Sequence, residues 1–145
     1  MLAVKTLFSR EDFDIFYDVT TRWKDNDIYG HVNNVTYYSY FDTVVNKFLI
    51  EKAGLDIHQG NCIAYVISSE CSYKIAISFP ESIEVGLYVE YIGRTSVRYR
   101  LGIFVKGSND LAACGSFTHV FVDRASESPI PIPENFLSEF QRILK

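Results

Sequence analysis

The feature that most constrains this chain is a single change of period. Residues 35–54, VTYYSYFDTVVNKFLIEKAG, carry Tyr37, Tyr38, Phe41, Val44, Val45, Phe48 and Leu49 at steps of three and four, which is helical spacing. Asn33 or Asn34 can cap the start, and Gly54 stands where a left-handed residue closes a helix. Apolar and aromatic residues cover more than one side, so the helix is expected to be surrounded by other elements rather than half solvated.

Strand patterns fill most of the rest. IFYDVTTRW (15–23) precedes the helix and is rich in β-branched and aromatic residues. CIAYVISSECSYKIAISF (62–79) is too long for one regular strand, which predicts a bend or bulge near Ser68–Ser69. In SIEVGLYVEYIG, Ile83, Val85, Leu87, Val89 and Tyr91 alternate onto one face, and Val97, Tyr99, Leu101, Ile103 and Val105 do so in TSVRYRLGIFVK. The opposite face of that strand carries Ser96, Arg98, Arg100 and Lys106. GSND (107–110) turns into a last long strand, LAACGSFTHVFVD, and PIPENFLSEFQRILK reads as a Pro-led stop and a short amphipathic helix. One strand, one long helix and a run of antiparallel strands predict an α+β domain over residues 1–145, a strongly curved sheet wrapped around the helix. Such a sheet leaves open edges and an uncovered outer face, which pairing of subunits would resolve.

Composition narrows the function. A net charge of −4 gives no whole-chain basic field for nucleic acid. No apolar run approaches membrane-spanning length, and MLAVKTLFSREDFD lacks the layout of a signal peptide, so a cytoplasmic location is expected. Cys62, Cys71 and Cys114 are odd in number without close pair spacing and read as buried thiols, not as disulfides or a zinc site. Eleven Phe and ten Tyr exceed the needs of one small core and point to a pocket or subunit interface. Phosphate-loop, dinucleotide and metalloprotease patterns are absent, and CGSFTH is no nucleophile elbow. His31, His58 and His119 share no metal-ligand spacing, and His119, alone in a strand, reads as structural.

RWKDNDIYGHVNNVTYYSYFD (22–42) crowds polar groups against the start of the helix. Asp25 and Asp27 could be turn formers, Gly30 a residue of positive φ, and an asparagine the cap. One cap suffices, however, and this segment supplies several. The alternative is chemical. A helix N-terminus presents unpaired N–H groups that can polarise a carbonyl and stabilise an oxyanion. A carboxylate just before it could attack that carbonyl or activate water. Beside a positive helix end a carboxylate is a weak base, which leans the role toward nucleophile and suits a substrate with a good leaving group, such as a thioester.

The same stretch closely resembles the signature of hotdog-fold acyl-CoA thioesterases of the 4-hydroxybenzoyl-CoA thioesterase type. That signature runs aromatic, x, Asp, x, Asp, two residues, Gly, His or Ile, Val, Asn, Asn, then a Tyr-rich helix. SSECSYKIAISFPESIEVGLYVEYIGRTSVRYRLGIF is similar to the family's middle strands, with an aromatic-Lys pair and a Gly-Arg-Thr-Ser turn. HVFVDRASESPIPIPENF is similar to its closing strand and tail, so the likeness covers roughly residues 14–138. It implies the hotdog fold and hydrolysis of acyl-CoA to acid and CoA without metal or redox cofactor. It places the catalytic carboxylate at Asp27 and a carbonyl-polarising backbone N–H at Asn34, with Gly30 and His31 shaping the turn between them. Arg94, Thr95 and Ser96 would grip the nucleotide end of CoA, and Arg94, Arg98 and Arg100 would form a local positive patch. Tyr37 and Tyr40 would bound the acyl pocket. The site would lie between paired subunits, as a homodimer or homotetramer, with no nucleic-acid or membrane partner. Asp25 is expected to fix the loop, and Glu70, in a strand, ranks below Asp27. Two rivals remain: a hotdog hydratase or dehydratase, which would pair a catalytic His with an acid, and a non-catalytic acyl-CoA-binding protein.

Overall fold

The computed structural model describes residues 8–145, so the first seven residues of the N-terminal stretch lie outside it. In chain order the elements are β1 (Ile15–Thr20), α1 (Asn34–Ala53), β2 (Cys62–Tyr73), β3 (Ser82–Ile92), β4 (Ser96–Val105), β5 (Leu111–Asp123) and α2 (Glu134–Arg142). The strands form one antiparallel sheet in the order β1-β3-β4-β5-β2, which leaves β1 and β2 at its edges. The sheet curves around α1, the hotdog arrangement.

Local chemistry accounts for the boundaries. Asn33 caps α1 through its side chain, which accepts the Val35 N–H at 3.0 Å, and Gly54 ends the helix at φ 75°. The expected irregularity of β2 is a register shift between Val66 and Ser68 opposite β5. β1 stops at Thr20, three residues short of Trp23, because Trp23–Asp25 wind into a 3-10 turn held by the Asp25 carboxylate. A second shift, between Val89 and Tyr91, breaks the alternation of β3 and turns Tyr91 out to solvent.

Phe41, Val44, Val45, Phe48 and Leu49 bury against the concave face, where Ile83, Val85, Leu87, Val97, Tyr99 and Leu101 are fully enclosed. Burial of this kind contributes about 1.5–3 kcal/mol per large side chain. α2 closes the far end, stacking Phe140 on Phe48 and packing Phe136 at a tilt against Phe121. The helix is not surrounded in the single chain: Ser39, Asp42, Thr43, Lys47 and Glu51 form an exposed polar side.

The outer face is not bare either. Phe13 lies flat on it over Gly86 and Gly102, which face each other across β3 and β4. A Cβ on either glycine would come within 2.6 Å of that ring. Arg10 stacks over Phe104 beside it. The chain's own segment before β1 therefore covers part of the surface that the sequence left for a partner.

Candidate active site

The loop from β1 to α1 is organised by Asp25. This residue is only 2% exposed. Its carboxylate accepts the Arg22 backbone N–H at 2.9 Å, the Arg22 guanidinium at 3.0 Å and the Tyr40 hydroxyl at 2.8 Å. Its carbonyl accepts the Asn33 N–H at 2.8 Å. Burial works to raise its pKa, but the hydrogen bonds from Arg22 and Tyr40 and the Arg22 charge together hold it below the usual carboxylate range. Asp25 is thus the expected loop-fixing residue. Tyr40 is its partner and does not line the site: the helical period that brought it to the loop turns its ring into the core, where burial and the Asp25 charge push the phenol pKa far up.

Two residues on, Asp27 sits in a different environment. Its N–H donates to the His31 carbonyl at 2.8 Å and its carbonyl accepts the Gly30 N–H at 3.1 Å, closing a tight turn. Gly30 has φ 84°, a conformation that favours glycine. One carboxylate oxygen, Oδ1, accepts the Tyr29 N–H at 2.8 Å; Oδ2 accepts no hydrogen bond among the described residues. Val32, bonded through its N–H to the Ile77 carbonyl at 2.7 Å, pins the loop to the segment after β2.

The first turn of α1 completes the arrangement. The Asn33 side chain takes the Val35 N–H and its carbonyl takes the Thr36 N–H. The Asn34 N–H has no acceptor among the described residues. Asp27, His31, Asn34 and Tyr37 line one cavity of about 300 Å³. The cavity thus brings together a carboxylate-bearing residue and the first residue of a helix, the kinds of group that attack on a carbonyl and stabilisation of its oxygen call for. Asp27 also borders a wider, open cavity of about 630 Å³ beside Trp23 and Ile28.

Tyr73 belongs to the same cavity and was missed from sequence. It meets Tyr37 edge to face at 4.9 Å, and its hydroxyl donates to the Asn34 carbonyl at 2.9 Å. The signal was present in the Tyr-Lys pair that ends β2, but nothing local says that this ring reaches the helix. His31 is exposed, and its imidazole makes no hydrogen bond to Asp27 among the described residues, so the His–acid pair of a hydratase is not formed.

Arg94, Thr95 and Ser96 are not brought to Asp27 within the chain. Ser96 pairs with Val120 at one end of β5, whereas Tyr73, beside the cavity, pairs with Ala113 at the other. Seven strand residues separate these positions, on the order of 20 Å. The turn is fixed by its backbone: the carbonyls of Arg94, Thr95 and Ser96 accept the N–H groups of Ile132, Phe121 and Gly93. The predicted positive patch does not form. Strand alternation puts Arg98 and Arg100 on the outer face, where Arg100 makes two 3.1 Å hydrogen bonds to Glu90 and Arg98 lies 3.9 Å from it. Glu70 is the outer ion-pair partner of Arg100 at 3.7 Å and faces away from Asp27. Arg94 is exposed and pairs with no carboxylate among the described residues.

His119 is structural, as expected: it is 1% exposed and its Nδ1 lies 3.2 Å from the Tyr99 hydroxyl. Of the three free thiols Cys114 is buried, while Cys62 and Cys71 are only half-buried. Burial pushes the Cys71 thiol up to about 11. Among the described residues no helix is long and apolar enough to cross a membrane.

Similarity to known proteins agrees with the fold. The model of the Thioesterase-like superfamily matches residues 21–140. The crystal structure of the PA5185 protein from Pseudomonas aeruginosa strain PAO1 superposes with TM-score 0.93 at 47% identity, covering 94% of this chain and 96% of that one. Slr0204, a 1,4-dihydroxy-2-naphthoyl-CoA thioesterase from Synechocystis, superposes with TM-score 0.79 over 87% of this chain and 94% of that one. At 14% identity that likeness speaks for the fold alone. The YsmA protein of Bacillus subtilis strain 168 is 25% identical over 88 residues, 61% of this chain and 59% of its own length. The chain therefore spans about three fifths of the curated relative it matches.

Proposed function

From a chain that belongs to the Thioesterase-like superfamily, we propose an acyl-CoA thioester hydrolase of the 4-hydroxybenzoyl-CoA thioesterase type. One observation carries this reading: Asp27, half-buried, and Asn34, whose N–H has no acceptor among the described residues, line the same cavity. The thioester carbonyl lies with its oxygen on the Asn34 N–H, which takes up the charge that grows there. Asp27 supplies the attacking oxygen, its own or that of a water it deprotonates. The C–S bond breaks, CoA leaves as the thiol, and water provides the oxygen of the released acid. Gly30 and His31 give the turn its shape, and Tyr37 bounds the acyl group. No metal or redox cofactor takes part.

The working unit is a dimer or a dimer of dimers, in the cytoplasm. β2 is an edge strand with Tyr65, Val66 and Ile67 exposed at 40%, 46% and 59%, apolar surface that a second copy would cover. Two copies paired antiparallel along β2 set the Cys62 end of one beside the Tyr73 end of the other. That pairing carries the Arg94–Ser96 turn of one subunit toward the Asp27 cavity of its neighbour, where it holds the phosphates of CoA.

The test is thiol release from hexanoyl-, palmitoyl- and benzoyl-CoA. Asp27→Asn should lower kcat by about 10² or more while far-UV circular dichroism stays unchanged. Near-normal turnover by Asp27→Asn would remove Asp27 from the chemistry. Enoyl absorbance changes without thiol release would make the protein a hydratase.

A further inference from the structure

We propose that Tyr73 is a positioning residue, whose hydroxyl, donated from the end of the edge strand β2, holds the first turn of α1 so that Asn34 stays fixed at the wall of the Asp27 cavity. The inference rests on the hydrolase reading and adds to it a residue that acts through another. Tyr73 is the last residue of β2, after which the chain leaves the sheet. Its side chain crosses to α1 and donates to the Asn34 carbonyl at 2.9 Å. In a helix that carbonyl also accepts the N–H four residues on, at Tyr38, so the phenol occupies its second lone pair.

The ring is held independently of the hydroxyl. It packs edge to face on Tyr37 at 4.9 Å with an interplanar angle of 89°, and Tyr37 is 3% exposed. Two contacts on one rigid side chain, one to the residue after Asn33 and one to the next turn, fix both position and rotation of the helix end. Such support matters at this place more than elsewhere. The first turn of a helix has no preceding turn to hold it, and an oxyanion donor acts only if it is already oriented before charge develops. Asn33 caps the turn from the loop side; Tyr73 braces it from the sheet side. The other face of the ring is open to the cavity, 45% of the residue being exposed.

Tyr73→Phe isolates the hydroxyl, because the ring contact with Tyr37 survives. Residue-resolved amide hydrogen exchange of the intact protein should show the Tyr38 and Tyr37 amides exchanging about fivefold faster in the variant, the scale of one lost hydrogen bond, while strand amides of β3 and β4 keep their rates. In the thiol-release assay kcat should fall about five- to tenfold by the same factor for hexanoyl-, palmitoyl- and benzoyl-CoA, with KM unchanged. A uniform loss is the signature of the shared carbonyl contact; a wall residue would give acyl-dependent losses and move KM. Unchanged exchange at the start of α1 overturns the proposal, and so does a kcat equal to wild type. If the wild type releases no thiol from any of the three esters, the hydrolase reading fails, and the exchange measurement alone decides whether Tyr73 holds the helix.

Discussion

The two ends of α1 use similar groups and finish in opposite states. Both border cavities of similar size, about 310 Å³ at the C-terminal end and about 300 Å³ at the N-terminal end. At the C-terminal end several carbonyls are matched. The Leu49 carbonyl takes the Leu55 N–H at 3.0 Å, the Ala53 carbonyl takes the Asn135 amide at 2.7 Å, and Arg124 donates to the carbonyls of Gly60 and Ile57 at 2.6 and 2.9 Å. Asp56 takes both the His58 and Gln59 N–H groups on Oδ1 and, like Asp27, keeps its other oxygen open among the described residues. At the N-terminal end, among the described residues, the Asn34 N–H has no acceptor and Asp27 Oδ2 no donor. Volume therefore does not distinguish a reactive place from a structural one. The pairing of a helix-terminal N–H with a carboxylate does, because a carbonyl under attack needs both.

The sharpest way to break the comparison is to disturb the frame that keeps the open end open. Asp25→Ala strands the buried Tyr40 hydroxyl and removes the partner of Arg22. The stranded hydroxyl and the lost charge-assisted hydrogen bonds together cost about 3 kcal/mol, while the freed Arg22 charge adds little because that side chain is 57% exposed. Urea unfolding should show that loss, with turnover reduced in the same variant. Asp25→Ala with full stability would mean that the loop is held by Asn33 and Val32 alone.

Next in size is an acid effect from the core behind α1. Burial lowers the His119 pKa from 6.5 to about 4. The folded state therefore binds fewer protons than the unfolded chain between these values, and stability falls as pH drops through that window. The loss amounts to about 2 kcal/mol by pH 5 and about 3 kcal/mol below pH 4. The lowered carboxyl of Asp25 adds its own loss only at still lower pH, through and below the usual Asp value. In His119→Gln the fall between pH 6.5 and 4 should flatten, read from urea midpoints. An unchanged profile would assign the acid sensitivity to other groups.

A smaller effect is expected at the closed end. Arg124→Ala removes two hydrogen bonds to carbonyls and should cost about 1–2 kcal/mol of stability, leaving kcat untouched. A kcat loss there without destabilisation would make the two ends alike.

The sequence was most legible where interactions are local. The seven-position period, Asn33 and Gly54 define α1, and the length of 62–79 forecast the irregular β2. The loop-fixing role expected of Asp25 was legible because its partners, Arg22 and the turn it closes, lie within a few positions. What stayed hidden is cross-strand and cross-element. Phe13 covers the outer face only because Gly86 and Gly102 come into register. Tyr40 faces inward because Asp25 is buried to meet it. Arg98 and Arg100 lost their predicted role to Glu90, which reaches them through the register of β3 against β4.

That loss sharpens the last and smallest prediction. Of the three arginines expected to meet CoA, only Arg94 is without a carboxylate partner among the described residues, so any electrostatic hold on the CoA phosphates from this turn rests on it. An exposed cation acting across solvent on a polyanion gives a modest, salt-sensitive gain. Arg94→Ala should raise KM for acyl-CoA a few-fold, about 1 kcal/mol at most, and leave kcat unchanged. The wild-type KM should rise with ionic strength more steeply than the variant's. A short N-acetylcysteamine thioester, lacking the nucleotide, should be hydrolysed equally by both. Arg98→Ala provides the internal control: its guanidinium faces Glu90 on the outer surface, so it should leave KM where it was. Equal KM changes in the two variants would mean a diffuse field, not a site, and impairment of the truncated thioester by Arg94→Ala would make the residue structural, since the Arg94 carbonyl already anchors the Ile132 N–H behind the turn.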